Sequence, residues 1–268
     1  MTTVAREDAI TALDAAYDGF VGLAEGLAPD EWSLPTACPG WSVQDNVSHV
    51  IGIESLLLGR PDPDVSLPDD LPHVRNDFGR ANEVWVESFR SWPPDEVLGE
   101  LRAVVAERRA ALATMDQADF DADALTPAGP DTYGRLIRIR VMDIWMHEQD
   151  IREAVGRPGH VDGPAAATAL LETTLPLGYV VGKRASAPAG STVRFELTGP
   201  MARRVDIEVA ERARLVDGLA GEPTTTLTVA GHHFTRLVGG RGADPELVAI
   251  TGDTSLGERV VASLGYLI

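Results

Sequence analysis

Asp143 and His147 stand four residues apart in the segment Asp143-Ile144-Trp145-Met146-His147-Glu148-Gln149-Asp150. On a helix that spacing projects both side chains from one face, one turn apart. A carboxylate and an imidazole held in this way can clamp one metal ion from a rigid support. The same spacing is met more often in surface ion pairs, so it does not establish a metal by itself. The surroundings favour an inward face. Leu136, Ile139, Ile151 and Ala154 share the stripe, and polar groups within an apolar stripe need partners when buried. Helical bundles build their metal sites from such inward-pointing polar clusters. Asp150, three residues beyond His147, lies near the same face.

His49 is the second candidate. It sits in Asn46-Val47-Ser48-His49-Val50-Ile51, with Ile53 and Leu56 following at helical spacing. Nearly every face of this segment is apolar, so the histidine is expected to point inward. Alone it reads most simply as a core histidine bonded to a carbonyl or a carboxylate. Together with Asp143 and His147 it completes a set of two histidines and a carboxylate. That set leaves a coordination position open, the arrangement of a catalytic zinc site. Other candidates carry less. Cys38 precedes the His49 segment without an identifiable basic partner and reads as a packed loop residue. His232 and His233 are adjacent and point apart on a helix, which makes them a poor metal pair. Trp32, Trp41 and Trp145 read as packing residues, with Trp145 near enough to His147 to line a pocket.

These side chains need elements to position them. Residues 7–24 carry Ile10, Leu13, Tyr17, Phe20, Val21 and Ala24 at helical period. A loop with Pro29, Pro35 and Pro39 follows. Ser42, with Asp45 three residues on, marks the start of a helix over residues 43–58 that Gly59 ends. An acidic loop with Asp62 to Asp70 reads as solvated charge. Helices are predicted over residues 76–89 and 94–115, a loop over 116–130, and a long helix over 132–155 that stops at Gly156 before Pro158. Beyond residue 160 the pattern changes. Residues 162–183 read as one helix, kinked or broken near Pro176. Residues 192–197, 205–209 and 224–229 alternate as half-buried strands. Short helices over 232–238 and 256–264 complete the chain. The fold class is therefore α+β: an antiparallel helical bundle over residues 1–160, then a smaller α+β domain over residues 161–268.

With those elements in place, the segment Glu31-Trp32-Ser33-Leu34-Pro35-Thr36-Ala37-Cys38-Pro39-Gly40-Trp41-Ser42-Val43-Gln44-Asp45-Asn46-Val47-Ser48-His49-Val50 resembles the N-terminal signature of the mycothiol-dependent maleylpyruvate isomerase family. That family belongs to the DinB-like metal-binding four-helix bundles. Arg140-Val141-Met142-Asp143-Ile144-Trp145-Met146-His147-Glu148-Gln149-Asp150-Ile151-Arg152 is similar to its second signature. Residues 224–229 and 234–241 are similar to its smaller, sterol-carrier-like C-terminal domain. The resemblance covers essentially the whole chain and is specific for the superfamily, not for a reaction. It implies a divalent metal, zinc, on His49, Asp143 and His147, with mycothiol as thiol cosubstrate. The family's isomerase has Glu where this chain has Asp143, one methylene shorter, and Asp150 then supports the site as a neighbouring carboxylate. Trp145 and Asp150 are assigned to the cofactor pocket. The resemblance further implies a C-terminal arginine that binds a substrate carboxylate, for which Arg236 and Arg241 are both candidates. The partners implied are a small-molecule electrophile and a low-molecular-weight thiol. The reaction is cis–trans isomerisation or S-transfer.

Composition bounds these readings. The chain has 268 residues, 44% hydrophobic and 24% charged, an ordinary globular profile. Its net charge of −18 argues against nucleic acid and anionic lipid as partners. One cysteine excludes an internal disulfide and fits a reducing cytoplasm. The N-terminus has no apolar leader, and no apolar run is long enough to span a membrane. Two other functions fit the residues. One is a non-enzymatic module that binds or senses a thiol or small molecule on the same fold. The other is a lapsed family member whose Asp143 marks a weakened site.

Overall fold

The computed structural model describes residues 1–68 and 70–267. Asp69, within the acidic loop, lies outside the described residues. The chain divides into two compact units, Met1–His160 and Val161–Ile268.

The first unit is helical. Its long helices are α1 (Arg6–Glu25), α2 (Val43–Leu57), α3 (Asp77–Phe89), α4 (Pro94–Ala113) and α6 (Tyr133–Ala154). Helix α1 packs along α6 and against α4, and α2 packs on α3, α4 and α6. The core of α1 is the stripe Ala9, Leu13, Ala16, Tyr17, Phe20 and Ala24. Helix α2 differs, being buried on nearly every side from Val43 to Ser55. A helix apolar all round belongs inside a bundle, and α2 carries Asn46, His49 and Glu54 into the interior with it.

Local chemistry sets the helix ends. The Ser42 hydroxyl accepts from the Asp45 N–H, and the Asp45 carboxylate accepts from the Ser42 N–H, a reciprocal cap on α2. Thr132 caps α6 through Arg135 N–H. At the far end of α6, Gly156 takes a φ of +66° and Arg157 N–H returns to the Arg152 carbonyl. That 6→1 closure needs a residue without a Cβ.

The segment 116–130, expected as a loop, holds three elements. Asp116 and Asp119 cap each other at α5 (Gln117–Asp121). A hairpin follows, β1 (Asp123–Thr126) paired with β2 (Gly129–Thr132). Its strands bury only Thr126 and Thr132, so no apolar alternation announces them.

The second unit is a sheet with helices. Helix α7 (Gly163–Thr174) is followed by Pro176, where the predicted run breaks, then by the short α8 (Leu177–Tyr179) and a π-turn over Val180–Arg184. The missing N–H of proline accounts for the break. Strands β3 (Thr192–Thr198), β4 (Arg203–Val209), β5 (Ala213–Val216), β6 (Thr225–Ala230) and β7 (Ala249–Gly252) form one sheet in the order β5-β4-β3-β6-β7. Only β3 and β6 run parallel; the other neighbours are antiparallel. Val193, Phe195 and Leu197 alternate inward with Leu227 and Val229. Phe234 of α9 (Gly231–Val238) meets Phe195 edge to face at 5.8 Å, and α10 (Thr254–Ala262) covers β6 and β7. The edge strands β5 and β7 were not anticipated. Both are four residues long and mostly exposed or half-buried, so they lack the period-two burial that marks a strand. Among the described residues no helix is long and apolar enough to cross a membrane.

The α2–α3 contact depends on a missing side chain. A Cβ on Gly52 would lie 2.4 Å from the Cβ of Trp85, so the helices meet at a point where only glycine fits. Gly52→Ala is expected to cost about 1–3 kcal/mol through overpacking, measured as a lowered urea midpoint with an unchanged slope.

Candidate metal centre

Helices α2 and α6 face each other where His49 meets Asp143 and His147. His49 Nε2 lies 3.1 Å from Asp143 Oδ2, and His147 Nε2 lies 3.7 Å from Asp143 Oδ1. The two imidazole rings sit edge to face with centroids 4.6 Å apart. One donor atom from each of the three residues falls within 4.8 Å of the others. Both histidines are buried, whereas the Asp143 side chain keeps 30% of its surface exposed. Asp143 is therefore the most exposed member of the cluster.

The tautomer of His147 follows from its neighbours. Both amide hydrogens of Asn46 are used, one on Thr36 Oγ1 at 3.0 Å and one on the Ser42 carbonyl at 2.8 Å. Asn46 Oδ1 therefore faces His147 Nδ1, at 2.7 Å. An amide oxygen only accepts, so Nδ1 carries the proton and Nε2 is turned toward Asp143. The back of the same ring meets Cys38 and Asp150. The Cys38 thiol donates to Asp150 Oδ2 at 3.2 Å, and its sulfur lies 3.8 Å from His147 Nδ1. Asp150 Oδ2 is 3.5 Å from that nitrogen. Cys38, expected as a loop residue with no basic partner, thus borders the site. A turn over Cys38-Pro39-Gly40-Trp41 puts it there, closed by Trp41 N–H on the Cys38 carbonyl, with Gly40 at φ +80°. Pro then Gly at the two central positions is the pattern of a type II turn.

That turn also delivers Trp41, which sequence reasoning treated as packing alone. Its ring lies 5.1 Å from the His49 ring and 5.7 Å from the His147 ring, forming an aromatic wall over both imidazoles. The indole N–H is committed to Glu83 Oε2 at 2.9 Å. Glu83 is fully buried and also receives His73 Nε2 at 3.0 Å and Arg90 Nη2 at 2.6 Å. Burial would raise the Glu83 carboxyl, but the hydrogen bonds from Trp41 and His73 and the charge of Arg90 hold it below the usual range.

A chain of buried charges lies behind Asp143, and its members were not singled out from the sequence. Glu54 on α2 is wholly enclosed. Its Oε2 receives Arg108 Nε from α4 at 2.8 Å, and its Oε1 receives Arg140 Nη2 from α6 at 2.8 Å. Arg140 then reaches Asp143 Oδ2 through Nη1. A signal for this existed: a glutamate inside the apolar run of α2 and an arginine three residues before Asp143 both require partners once buried. Burial alone would raise the Asp143 carboxyl, yet Arg140 and His49 hold it well below the usual range. Burial lowers His49 to about 4, so that ring is neutral at neutral pH. For His147 burial also acts downward but is outweighed by Asp143, Asp150 and Cys38, which raise it well above its ordinary value. The local field at His147 thus favours positive charge.

These residues fit a divalent transition metal. Two imidazole nitrogens and a carboxylate converge, one ring is neutral, and the other is fixed by an acceptor on its far nitrogen, as metal-ligating histidines are. The field that favours a proton on His147 favours a cation in its place. Three protein ligands would leave at least one position for solvent or substrate.

The remaining expected site residues have these partners. Trp145 is fully buried and donates its indole N–H to the His160 carbonyl at 2.7 Å. Arg236 and Arg241 belong to the second unit. Arg236 is buried on α9 with Nη2 3.5 Å from the Arg241 carbonyl, and Arg241 Nη1 donates to the Gly239 carbonyl at 2.8 Å.

The sequence was compared with known proteins. The family model of the mycothiol maleylpyruvate isomerase N-terminal domain matches residues 13–152. A crystal structure of the mycothiol-dependent maleylpyruvate isomerase resembles the chain at a TM-score of 0.58 and 17% identity, covering 94% of this chain and 96% of that one. A histidine-to-alanine mutant of that isomerase gives 0.54 and 16% over the same shares. At these identities the likeness is one of fold. No curated protein matches the sequence.

Glu54 holds two guanidinium groups with a single negative charge, so removing that charge leaves a buried cation uncompensated. Glu54→Gln is expected to lower the unfolding free energy by about 3–5 kcal/mol, read from urea denaturation.

Proposed function

Because the chain belongs to the family of the mycothiol maleylpyruvate isomerase N-terminal domain, we propose that it is a metal- and mycothiol-dependent enzyme acting on a small electrophile. The reaction is a cis–trans isomerisation of the maleylpyruvate type or transfer of the thiol to the electrophile. The observation that carries this reading is the convergence of His49, Asp143 and His147 within 4.8 Å, with His147 Nδ1 tied to Asn46. The resident ion would be zinc, which accepts nitrogen and oxygen ligands in this number. A bound divalent ion lowers the pKa of a coordinated thiol so that the thiolate is present at neutral pH.

The chain's own residues supply the rest. Asn46 fixes the His147 tautomer, and Asp150 and Cys38 support the ring from behind. Trp41 walls the imidazoles off from water on one side. The exposed edge of Asp143 leaves an entrance for thiol and electrophile. Arg236 or Arg241 binds a carboxylate of the electrophile, a task suited to the bidentate guanidinium. In isomerisation the thiolate forms a carbon–sulfur bond to the cis double bond while the π pair moves onto the conjugated carbonyl. Rotation about the resulting single bond and return of that pair expel the thiolate and leave the trans product. If the adduct is protonated on carbon and released, the outcome is S-transfer. The single cysteine, Cys38, has its thiol committed to Asp150 behind the His147 ring, and the reactive sulfur in this reading is that of the small thiol, whose reduced state suits the cytoplasm. Residues 1–160 act as the metal-bearing domain and residues 161–268 as the α+β domain of the same enzyme.

Metal analysis of the purified chain, together with a mycothiol titration, tests the reading. About one equivalent of divalent metal is expected. His49→Ala or His147→Ala should remove both the metal and the thiol affinity. A native chain that takes up no divalent ion when supplied would refute the enzyme, and thiol binding that survives His147→Ala would favour a non-catalytic binder. Asp143→Glu separates a working site from a lapsed one: zinc affinity is expected in both chains, and its appearance only in the glutamate variant marks decay.

A further inference from the structure

Arg140 is in direct contact with Asp143, a proposed ligand of the metal, and Glu54 alone does not balance the charges of its network. Glu54 carries one negative charge and holds two guanidinium groups, Arg108 and Arg140. The second negative charge that balances the pair is Asp143 itself, reached by Arg140 Nη1 at Oδ2. The four groups are therefore neutral together before any metal enters. His49 Nε2 approaches the same Oδ2 at 3.1 Å, whereas His147 Nε2 is nearer Oδ1. Oδ1 is thus the carboxylate oxygen that Arg140 leaves open.

On the metal reading above, we propose that Arg140 is a positioning residue that serves as a resident counter-cation for Asp143. It competes with the metal for the carboxylate and leaves the loaded centre more positive than its two histidines and one carboxylate alone would make it. With Asp143 already neutralised, a divalent ion keeps nearly its full double charge toward whatever fills its open position. Within a low-dielectric interior such a difference acts strongly at contact range. The centre gives up affinity for the ion and gains affinity for anions, namely a thiolate and an electrophile bearing carboxylate groups. That selection has a purpose in this chain, because the overall charge of −18 otherwise repels anionic ligands. The clamp is rigid as well as charged. Arg140 is buried, with Nε and Nη2 fixed on Glu54 at 3.1 and 2.8 Å, so Nη1 cannot swing away from Asp143 without breaking a buried pair.

The sign of the effect distinguishes this role from simple packing. Full-length native chain, Arg140→Gln, Arg140→Lys and the double variant Glu54→Gln/Arg140→Gln would be compared. The double variant removes one charge of each sign, so it keeps the measurement available if Arg140→Gln alone fails to fold. Zinc dissociation constants come from competition with a chromophoric chelator. Azide binding to the cobalt-loaded forms, followed in the visible spectrum, probes the anion preference. Arg140→Gln and the double variant are expected to bind zinc about tenfold tighter or more, and azide about tenfold weaker. Arg140→Lys, which keeps the charge but not the fork that holds it on Glu54 and Asp143, is expected to fall between the native chain and Arg140→Gln in both measurements. A guanidinium needed only for packing would make zinc binding weaker, never tighter. Unchanged or weaker zinc binding in both variants lacking the charge, in a native chain that does bind zinc, overturns the proposal and leaves the metal reading standing. If neither the native chain nor any variant binds zinc, the metal reading itself fails and the proposal with it. Zinc binding that emerges only once Arg140 is removed supports the competition directly.

Discussion

Glu54 binds three helices together from a position without solvent. Arg108 comes to it from α4 and Arg140 from α6, while Glu54 itself sits on α2. An ion taken out of water loses several kcal/mol of hydration, which is recovered only if geometry and partners are complete. The three helices are therefore held to one mutual placement, because a shift of any of them strands a charge. That constraint reaches the candidate metal centre without a break. Arg140 links Glu54 to Asp143, and Asp143 touches His49. The faces of α2 and α6 that carry His49, Asp143 and His147 are consequently set by electrostatics as much as by the apolar packing around them.

A second set of interactions reaches the same residues from the other side. Glu83 on α3 gathers Trp41, His73 and Arg90, and Trp41 lies over both imidazoles. Arg90 continues to Asp45, whose other oxygen caps the first turn of α2. The loop before α2 is thus not a passive connection. It supplies the wall of the centre, the sulfur behind His147 and the cap of the helix that presents His49. Asn46 ties these parts together, since it bonds the loop at Thr36 and the imidazole of His147 with one amide.

What could be read from the residues divides along sequence distance. The cap at Ser42, the stop at Gly156 and the break at Pro176 are local devices, and each is legible from a few neighbouring side chains. The facing of Asp143 and His147 follows from helical period alone, and the inward His49 from the apolar run around it. Arg140 is a different case. Its partner Glu54 stands 86 residues away, and nothing in either helix names the other; only the rule that buried charges are paired says that a partner exists. Trp41 was visible as a large apolar residue, but its position over the imidazoles depends on a turn docking against α3. The hairpin at residues 123–132 and the edge strands β5 and β7 escaped because short, half-exposed strands bury too little to leave a periodic trace.

Trp41 gives the molecule an optical property of its own. Of the five tryptophans in the chain, this one lies with its ring near the imidazoles of His49 and His147 and its N–H pinned to a buried carboxylate. An indole so immobilised has little freedom to average over surroundings, and its excited state is exposed to the charge of whatever sits between the two histidines. The protein therefore carries an intrinsic fluorophore at the rim of its candidate centre. Its emission would register the state of the imidazoles without an added label.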